Sequence, residues 1–167
     1  ADRDLQPDHG RMNLRAGFDD DPRTTSLQVG GDVDGARSTQ NQCWGSISQR
    51  PDVWIDYDAD DVFDRYVSTQ SENDTTLIIS GPDGNWHCDD DTAGDLNPGV
   101  RIRDPQPGRY AVWGGVFDGG SGVDATLYVS ELGFLGDTSG PPLLEWNATP
   151  NYGGVALDAG FAPAPPT

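Results

Sequence analysis

Apolar residues in this chain recur at every second position, in short runs bounded by glycine, proline and aspartate. The run at 53–57 reads Val-Trp-Ile-Asp-Tyr, and a longer one at 109–117 reads Arg-Tyr-Ala-Val-Trp-Gly-Gly-Val-Phe. Alternation with a period of two is typical of strands that bury one face. No convincing stretch places apolar residues at the helical spacing i, i+3, i+4 and i+7. The pattern predicts an all-β fold, and the succession of short strands and turns favours a β-sandwich.

The two cysteines, Cys43 and Cys88, indicate a disulfide. Cys88 lies in the second strand of a hairpin predicted between residues 74 and 91. The alternative is a free nucleophilic thiol, which needs a base, and the adjacent His87 would point to the opposite face of a strand. A disulfide persists in an oxidising compartment, and residues 1–3 would suit the end left by signal-peptide cleavage. We expect a secreted protein, extracellular or at the cell surface.

Charge argues against two classes of partner. The formal net charge is −18, and the ten basic residues are all arginine. Such a surface repels phosphate backbones and anionic lipid headgroups, so no nucleic acid is expected as a partner. The sequence has no apolar run long enough to cross a bilayer, so membrane insertion is not expected. The excess of carboxylates indicates either divalent ions bound among them or solvated acidity in a salty medium.

The densest group of carboxylates follows the predicted hairpin and is the candidate metal site. Its members are Asp89, Asp90, Asp91, Asp95 and Asn97. Calcium takes six to eight oxygen ligands, and a loop after a strand can wrap carboxylates and carbonyls round one ion. The alternative is a capped turn with solvated aspartates. Weaker candidates are two further groups, Asp56, Asp58, Asp60, Asp61 and Asp64, and Asp19, Asp20 and Asp21.

Signatures of catalysis are weak. His9 and His87 are the only histidines, and neither lies in a zinc motif or a nucleophile elbow. Carboxylate pairs for glycoside hydrolysis are too common in so acidic a chain to count. We therefore expect no catalytic residues and no enzyme activity. Among the tryptophans, Trp146 lies outside the predicted strands and is a candidate anchor at an interface.

A series of motifs resembles the bacterial pre-peptidase C-terminal (PPC) type domain, and in particular its two-cysteine relatives in secreted proteins of proteobacteria. The motifs are Asp74-Thr75-Thr76-Leu77, Gly81-Pro82-Asp83-Gly84, Trp86-x-Cys88-x-Asp90-Asp91, Leu96-Asn97-Pro98, Gly108-x-Tyr110-x-Val112-Trp113 and Ala125-Thr126-Leu127-x-Val129-Ser130-Glu131. The resemblance covers about residues 9–132. It implies a jelly-roll-like sandwich, secretion and a role without catalysis, and some relatives bind calcium.

The segment after residue 150 repeats the first predicted strand. Residues 9–24 begin His-Gly-Arg-Met-Asn-Leu-Arg-Ala-Gly-Phe, and residues 152–167 begin Tyr-Gly-Gly-Val-Ala-Leu-Asp-Ala-Gly-Phe. The side chains expected on the buried face are Met12, Leu14, Ala16 and Phe18 in the first copy, and Val155, Leu157, Ala159 and Phe161 in the second. One interpretation is a remnant of a tandem array, left as a disordered tail. The other is strand addition, in which one copy completes the sandwich of a neighbouring subunit.

These predictions divide the chain and assign it a role. The divisions are an N-terminal extension at 1–8, a β-sandwich at 9–132, a linker at 133–150 and a C-terminal strand at 151–167. We expect a non-enzymatic structural subunit of an extracellular filament or surface assembly, with copies of itself as partners. The alternative is a monomeric, calcium-stabilised accessory module that binds a glycan or a protein. Either copy of the strand is a candidate donor.

Overall fold

The structure, a computed structural model, describes residues 1–58 and 63–135, and within these ranges the chain consists mainly of short strands. One short helix, α1, spans Gly35–Ser38. The strands are β1 Arg11–Arg15, β2 Arg23–Gly31, β3 Val33–Asp34, β4 Ser46–Ile47, β5 Val53–Asp58, β6 Arg65–Gln70, β7 Thr75–Ser80, β8 Trp86–Asp89, β9 Gly99–Ile102, β10 Gly108–Val116 and β11 Gly120–Ser130. The all-β prediction is confirmed.

The strands form two sheets. Sheet A contains the path β1-β5-β10-β4-β3, and β7 pairs with β10 and with β8. Sheet B has the order β2-β11-β6-β9. Among the described strands, β1 pairs with β5 in parallel, and the other pairings are antiparallel. The predicted sandwich is confirmed, with a parallel edge that the sequence did not indicate.

The main core lies between the two sheets. Sheet B contributes alternate residues, so that Val29 of β2 and Leu127 of β11 are fully buried while their neighbours face outward. Sheet A contributes Val53, Leu77 and Val112 to the same cluster. Burial of each such side chain stabilises the fold by about 1.5–3 kcal/mol, which makes this cluster the principal source of stability.

Sheet A also buries its outer face. A second apolar cluster surrounds Trp113, which packs with Trp54 and Ile78. Residues 1–8, the predicted N-terminal extension, cross this face without forming a strand, and the Trp54 Nε1–H donates to the Arg3 carbonyl at 3.0 Å. Burial on both faces explains why β7 and β10 carry apolar residues at consecutive positions.

The predicted disulfide is present. Cys43 and Cys88 are bonded, with their Cα atoms 5.7 Å apart, and the bridge ties the loop before β4 to β8. The strand that follows Cys43, β4, is limited to Ser46–Ile47. Within the described ranges, no helix is long and apolar enough to cross a membrane.

The first strand is shorter than the alternation indicated. β1 ends at Arg15, and the chain then turns at Gly17, whose φ of 71° lies in the left-handed region that favours glycine. Leu14 is buried and Met12 is half-buried against the main core. Phe18 reaches the same core from beyond the turn. The four side chains predicted to share one face therefore belong to a strand followed by a turn.

Candidate functional site

β1 lies at an edge of sheet A and rests on β5. In the parallel register, Met12 is opposite Ile55 and Leu14 is opposite Tyr57. Just before β1, the carbonyl of Gly10 accepts a hydrogen bond from the backbone N–H of the first paired residue of β5, at 3.1 Å. We call the surface that β1 covers, residues 54–58 of β5, the β1 seat. An edge position of this kind is where an added strand can pair with a sheet.

Two charged side chains hold the turn that follows β1. Arg65 and Glu131, which we call the clasp, form an ion pair with 2.5 Å between Nη1 and Oε1. The backbone N–H of Gly17 donates to both carboxylate oxygens of Glu131, each at 3.0 Å. The guanidinium carbon of Arg65 lies 4.2 Å from the ring centroid of Tyr57 and 5.6 Å from that of Phe18. The Gly-Phe pair after β1 therefore contacts both members of the clasp.

The charges of the clasp are buried, since the side chains of Arg65 and Glu131 are 5% and 8% exposed. Removal of one partner from a buried ion pair leaves the other uncompensated, at a cost of about 3–5 kcal/mol. Within the described part of the chain, Nε and Nη2 of Arg65 have no hydrogen-bond partner. The guanidinium is therefore compensated mainly by Glu131 and by the faces of the two aromatic rings.

Two outward-facing arginines of β1 pair with aspartates of β5. Arg11 Nε lies 3.1 Å from Asp56 Oδ2, and Arg15 Nη2 lies 3.1 Å from Asp58 Oδ2. Because the second pair is largely exposed, its contribution to stability is about 1 kcal/mol or less. These arginines distinguish β1 from the second copy of its sequence.

The second copy of the strand sequence has the same glycines, and apolar residues at the same core-facing positions, as β1 and the turn after it. Gly10 and Gly17 have φ values of 89° and 71°, and the sequence has glycine again at the equivalent positions 153 and 160. Val155, Leu157, Ala159 and Phe161 lie outside the described residues, as does Trp146. On the outward side, Arg11 and Arg15 are replaced by glycine and aspartate at 154 and 158. The two copies thus share the buried positions and differ in charge at the exposed ones.

Two of the predicted metal ligands stabilise a loop. The Asp89 carboxylate accepts hydrogen bonds from the backbone N–H and the hydroxyl of Thr92 and from the Gly99 N–H, at 2.7–2.9 Å. Asn97 accepts the N–H of Ser71 at 2.8 Å and donates to the carbonyl of Asp95 at 3.1 Å. These side chains therefore have hydrogen-bonding roles in the fold of the segment between β8 and β9.

Asp90 and Asp91 belong to an acidic group with Asp74 and Asp118. Desolvation raises the pKa of the Asp74 carboxyl, and the negative charges of the other three raise it further. Topology brings the group together, because β7 pairs with β10 and the N–H of Phe117 donates to the Asp74 carbonyl at 3.1 Å. In the described chain, no set of three or more His, Cys, Asp or Glu side chains is placed to hold a metal ion. Calcium binding stays a prediction.

The weaker acidic candidates have partners or lie outside the described ranges. Asp56 and Asp58 face arginines of β1, and Asp64 accepts a hydrogen bond from Arg101 Nε at 2.7 Å. Asp21 Oδ2 accepts the N–H of Glu131 at 2.9 Å, next to the clasp. The structure does not describe residues 60 and 61. The arginines opposite Asp56, Asp58 and Asp64 reduce the local negative charge that a cation would need.

A buried carboxyl group lies beside the entry to β1. Asp52 is 2% exposed, and burial raises its pKa to about 7, although the hydrogen bond from the Gly114 N–H opposes that rise. His9 Nε2 lies 3.8 Å from Asp52 Oδ1 and accepts the N–H of Gln28 at 3.2 Å. The sequence did not indicate Asp52, because its hydrogen-bond partner Gly114 lies 62 positions away in the chain.

Comparisons with known proteins leave the resemblance to PPC-type domains as a prediction. No protein-family model, curated protein or solved structure matched the chain. Function is therefore inferred from the residues of this chain and their arrangement.

Proposed function

We propose that the protein is a secreted, non-enzymatic structural subunit whose copies join by β-strand donation into an extracellular filament or surface assembly. In this arrangement, residues 152–167 of one subunit occupy the β1 seat of the next. The observation that carries the proposal is the recurrence of apolar residues at the core-facing positions of β1 and of the two glycines that bracket this strand at positive φ.

The repeated residues are the ones that the structure constrains: core-facing positions must be apolar, whereas outward-facing positions can vary. Leu14 occupies the core and is repeated as Leu157, whereas Asn13 faces outward and is replaced by Ala156. Glycine is the residue that adopts left-handed backbone conformations without strain, and it recurs at both positions where β1 needs one. A segment that never adopts the backbone conformation of β1 does not require this combination of core-facing apolar residues and two glycines.

The chain has enough length to reach another molecule. β11 ends at Ser130, and the described residues continue to 135, with Phe134 packed edge-on against Tyr66 at 5.2 Å between centroids. Residues 136–151 can extend to about 50 Å. Donation from each subunit to the next is a head-to-tail contact, and such contacts extend into filaments unless their rotation closes a ring.

The competing function is that of a monomeric accessory module that binds a glycan or a protein and is stabilised by calcium. Its support is the exposed Trp44, which is 63% accessible and lines a depression with Asp89 and Asp90. An exposed aromatic ring beside carboxylates suits a sugar or a basic side chain. This site is at the disulfide end of β8 and is independent of the β1 seat.

Light scattering after size exclusion, together with negative-stain electron microscopy of the full chain, tests the proposal. Leu157→Asp places a charge at a position that must be buried in the β1 seat, so it should abolish polymers and leave a folded monomer. The matched control is Ala156→Asp, which adds the same charge one position away on the outward side and should still assemble. Equal assembly by both variants would contradict strand donation.

A further inference from the structure

The clasp contacts a particular pair of residues, which pairing of an edge strand through its main chain does not require. Main-chain pairing along β5 accepts many sequences, because it uses backbone groups that every residue except proline carries. Arg65 and Glu131, by contrast, contact one Gly-Phe pair beyond the end of β1. The sequence Ala-Gly-Phe occurs at 16–18 and again at 159–161.

We propose that the clasp is the recognition site that selects the incoming segment and sets its register, with Glu131 binding the Gly160 N–H and Arg65 binding the Phe161 ring of a second copy. This inference rests on the proposed function. It adds that the determinant of specificity is this pair of charged residues, beyond the paired part of the strand.

The contact with the Glu131 carboxylate explains why a glycine is needed at position 17. Both oxygens of Glu131 accept the N–H of Gly17, which the chain presents from a left-handed conformation. A Cβ atom built on Gly17 meets nothing within 4 Å, so space does not exclude a side chain. The backbone does, because a left-handed conformation is strained for residues with a Cβ. The same position in the incoming segment is Gly160.

The contact with the Arg65 guanidinium explains why an aromatic residue is favoured at position 18. Arg65 contacts the rings of both Tyr57 and Phe18, and two of its nitrogens have no hydrogen-bond partner among the described residues. A buried cation with unfilled donors is stabilised by an aromatic face more than by an aliphatic side chain. An occupant that lacks the ring would remove one of the two aromatic contacts of this cation and leave it with Glu131 and the Tyr57 ring. Phe161 is the residue of the second copy at that position.

The two contacts together fix the register. Shifting the incoming strand by one position would turn its apolar set away from the core, and shifting it by two would move Gly160 and Phe161 away from the clasp. Gly133-Phe134 repeats the pair but is preceded by leucine, and Phe134 packs on Tyr66 in its own subunit. That pair is therefore not available as a competitor.

The experiment compares full-length variants altered only in the incoming segment, so that the seat itself is unchanged. Gly160→Ala should raise the protein concentration needed for assembly by about tenfold because of backbone strain. Phe161→Leu should raise it by about fivefold through loss of the cation–ring contact. Ala162→Ser, one position beyond the pair, is the matched control and should assemble as the unaltered chain does.

A second measurement keeps the inference independent of whether filaments form. A fluorescent peptide of residues 151–167 is equilibrated for several days with the full chain, and its anisotropy is measured against the Gly160→Ala peptide. Tighter binding of the unaltered peptide supports recognition by the clasp. Equal binding of the two peptides, or no binding of either, overturns it. If Leu157→Asp blocks assembly while Gly160→Ala and Phe161→Leu do not, strand donation stands and the clasp inference is wrong.

Discussion

The charges on the outward side of β1 should decide which copy of the strand occupies the seat. The resident copy places Arg11 beside Asp56 and Arg15 beside Asp58, whereas the second copy would place glycine and an aspartate there. The double variant Arg11→Gly with Arg15→Asp gives the resident strand the outward residues of its competitor. We expect this variant to release its own β1 more readily and to assemble at lower protein concentration.

The size of the effect follows from the contacts. Each of the two exposed ion pairs contributes about 0.5 kcal/mol, and the contact of Arg11 with the Trp54 ring, at 5.1 Å, adds about 0.5 kcal/mol more. Asp158 beside Asp58 would cost a further ~0.5 kcal/mol through like-charge repulsion. The resident strand is thus favoured by about 2 kcal/mol, and its loss corresponds to about a 30-fold change in the equilibrium.

The assay is the critical concentration for assembly, measured by sedimentation at low ionic strength. Arg23→Gly with Arg37→Asp is the matched control, because it makes the same change in net charge on exposed residues of β2 and α1. We expect a fall of about 30-fold for the β1 variant relative to this control, and a smaller fall at high salt, where surface charges are screened. Equal critical concentrations for the two variants would refute the competition between the copies.

Three further predictions concern the stability of the sandwich. Burial raises the pKa of Asp52 from 3.8 to about 7, so the contribution of its protonated form to stability is fully present below pH 3.8 and is lost as the pH rises through 7. Urea denaturation should therefore show Asp52→Asn to be more stable than the unaltered chain above pH 7, by up to about 4 kcal/mol, with no such gain at pH 4. The double variant Cys43→Ser with Cys88→Ser opens a link of sequence separation 45 and should cost about 4 kcal/mol by chemical denaturation, and an unchanged midpoint would contradict this. Gly114→Ala would place a Cβ 2.3 Å from Val29 Cγ1 and should lower stability by about 1–3 kcal/mol, seen as a lower melting temperature.

Local patterns predicted the strands and the disulfide because these depend on residues close together in sequence or on chemistry with few alternatives. Alternation located β5 and β10, and two cysteines allow a single intramolecular pair. The alternation predicted that β1 continues to Phe18, but the strand ends three residues earlier, at Arg15. The apolar positions continue because a turn brings the Phe18 ring back to the core. Alternation alone does not separate a strand from a strand followed by such a turn.

The clasp could not be predicted, because Arg65 begins β6 and Glu131 follows the last residue of β11. Arg65 and Glu131 meet because these antiparallel strands are neighbours in sheet B, which the sequence does not state. The acidic group around Asp74 is similar, as it depends on the pairing of β7 with β10. Asp89 and Asn97 were chosen for their oxygen atoms, and the structure uses those atoms to hold a loop.

A reconstruction of the assembled full-length protein by electron cryo-microscopy tests strand donation most directly, because it identifies the chain that lies on β5. We predict that residues 155–161 of a neighbouring subunit occupy the β1 seat, with Val155 opposite Ile55, Leu157 opposite Tyr57 and Phe161 at Arg65. A reconstruction in which each subunit retains its own residues 11–18 on β5, and the C-terminal segment makes no contact with a neighbour's β1 seat, would contradict the account.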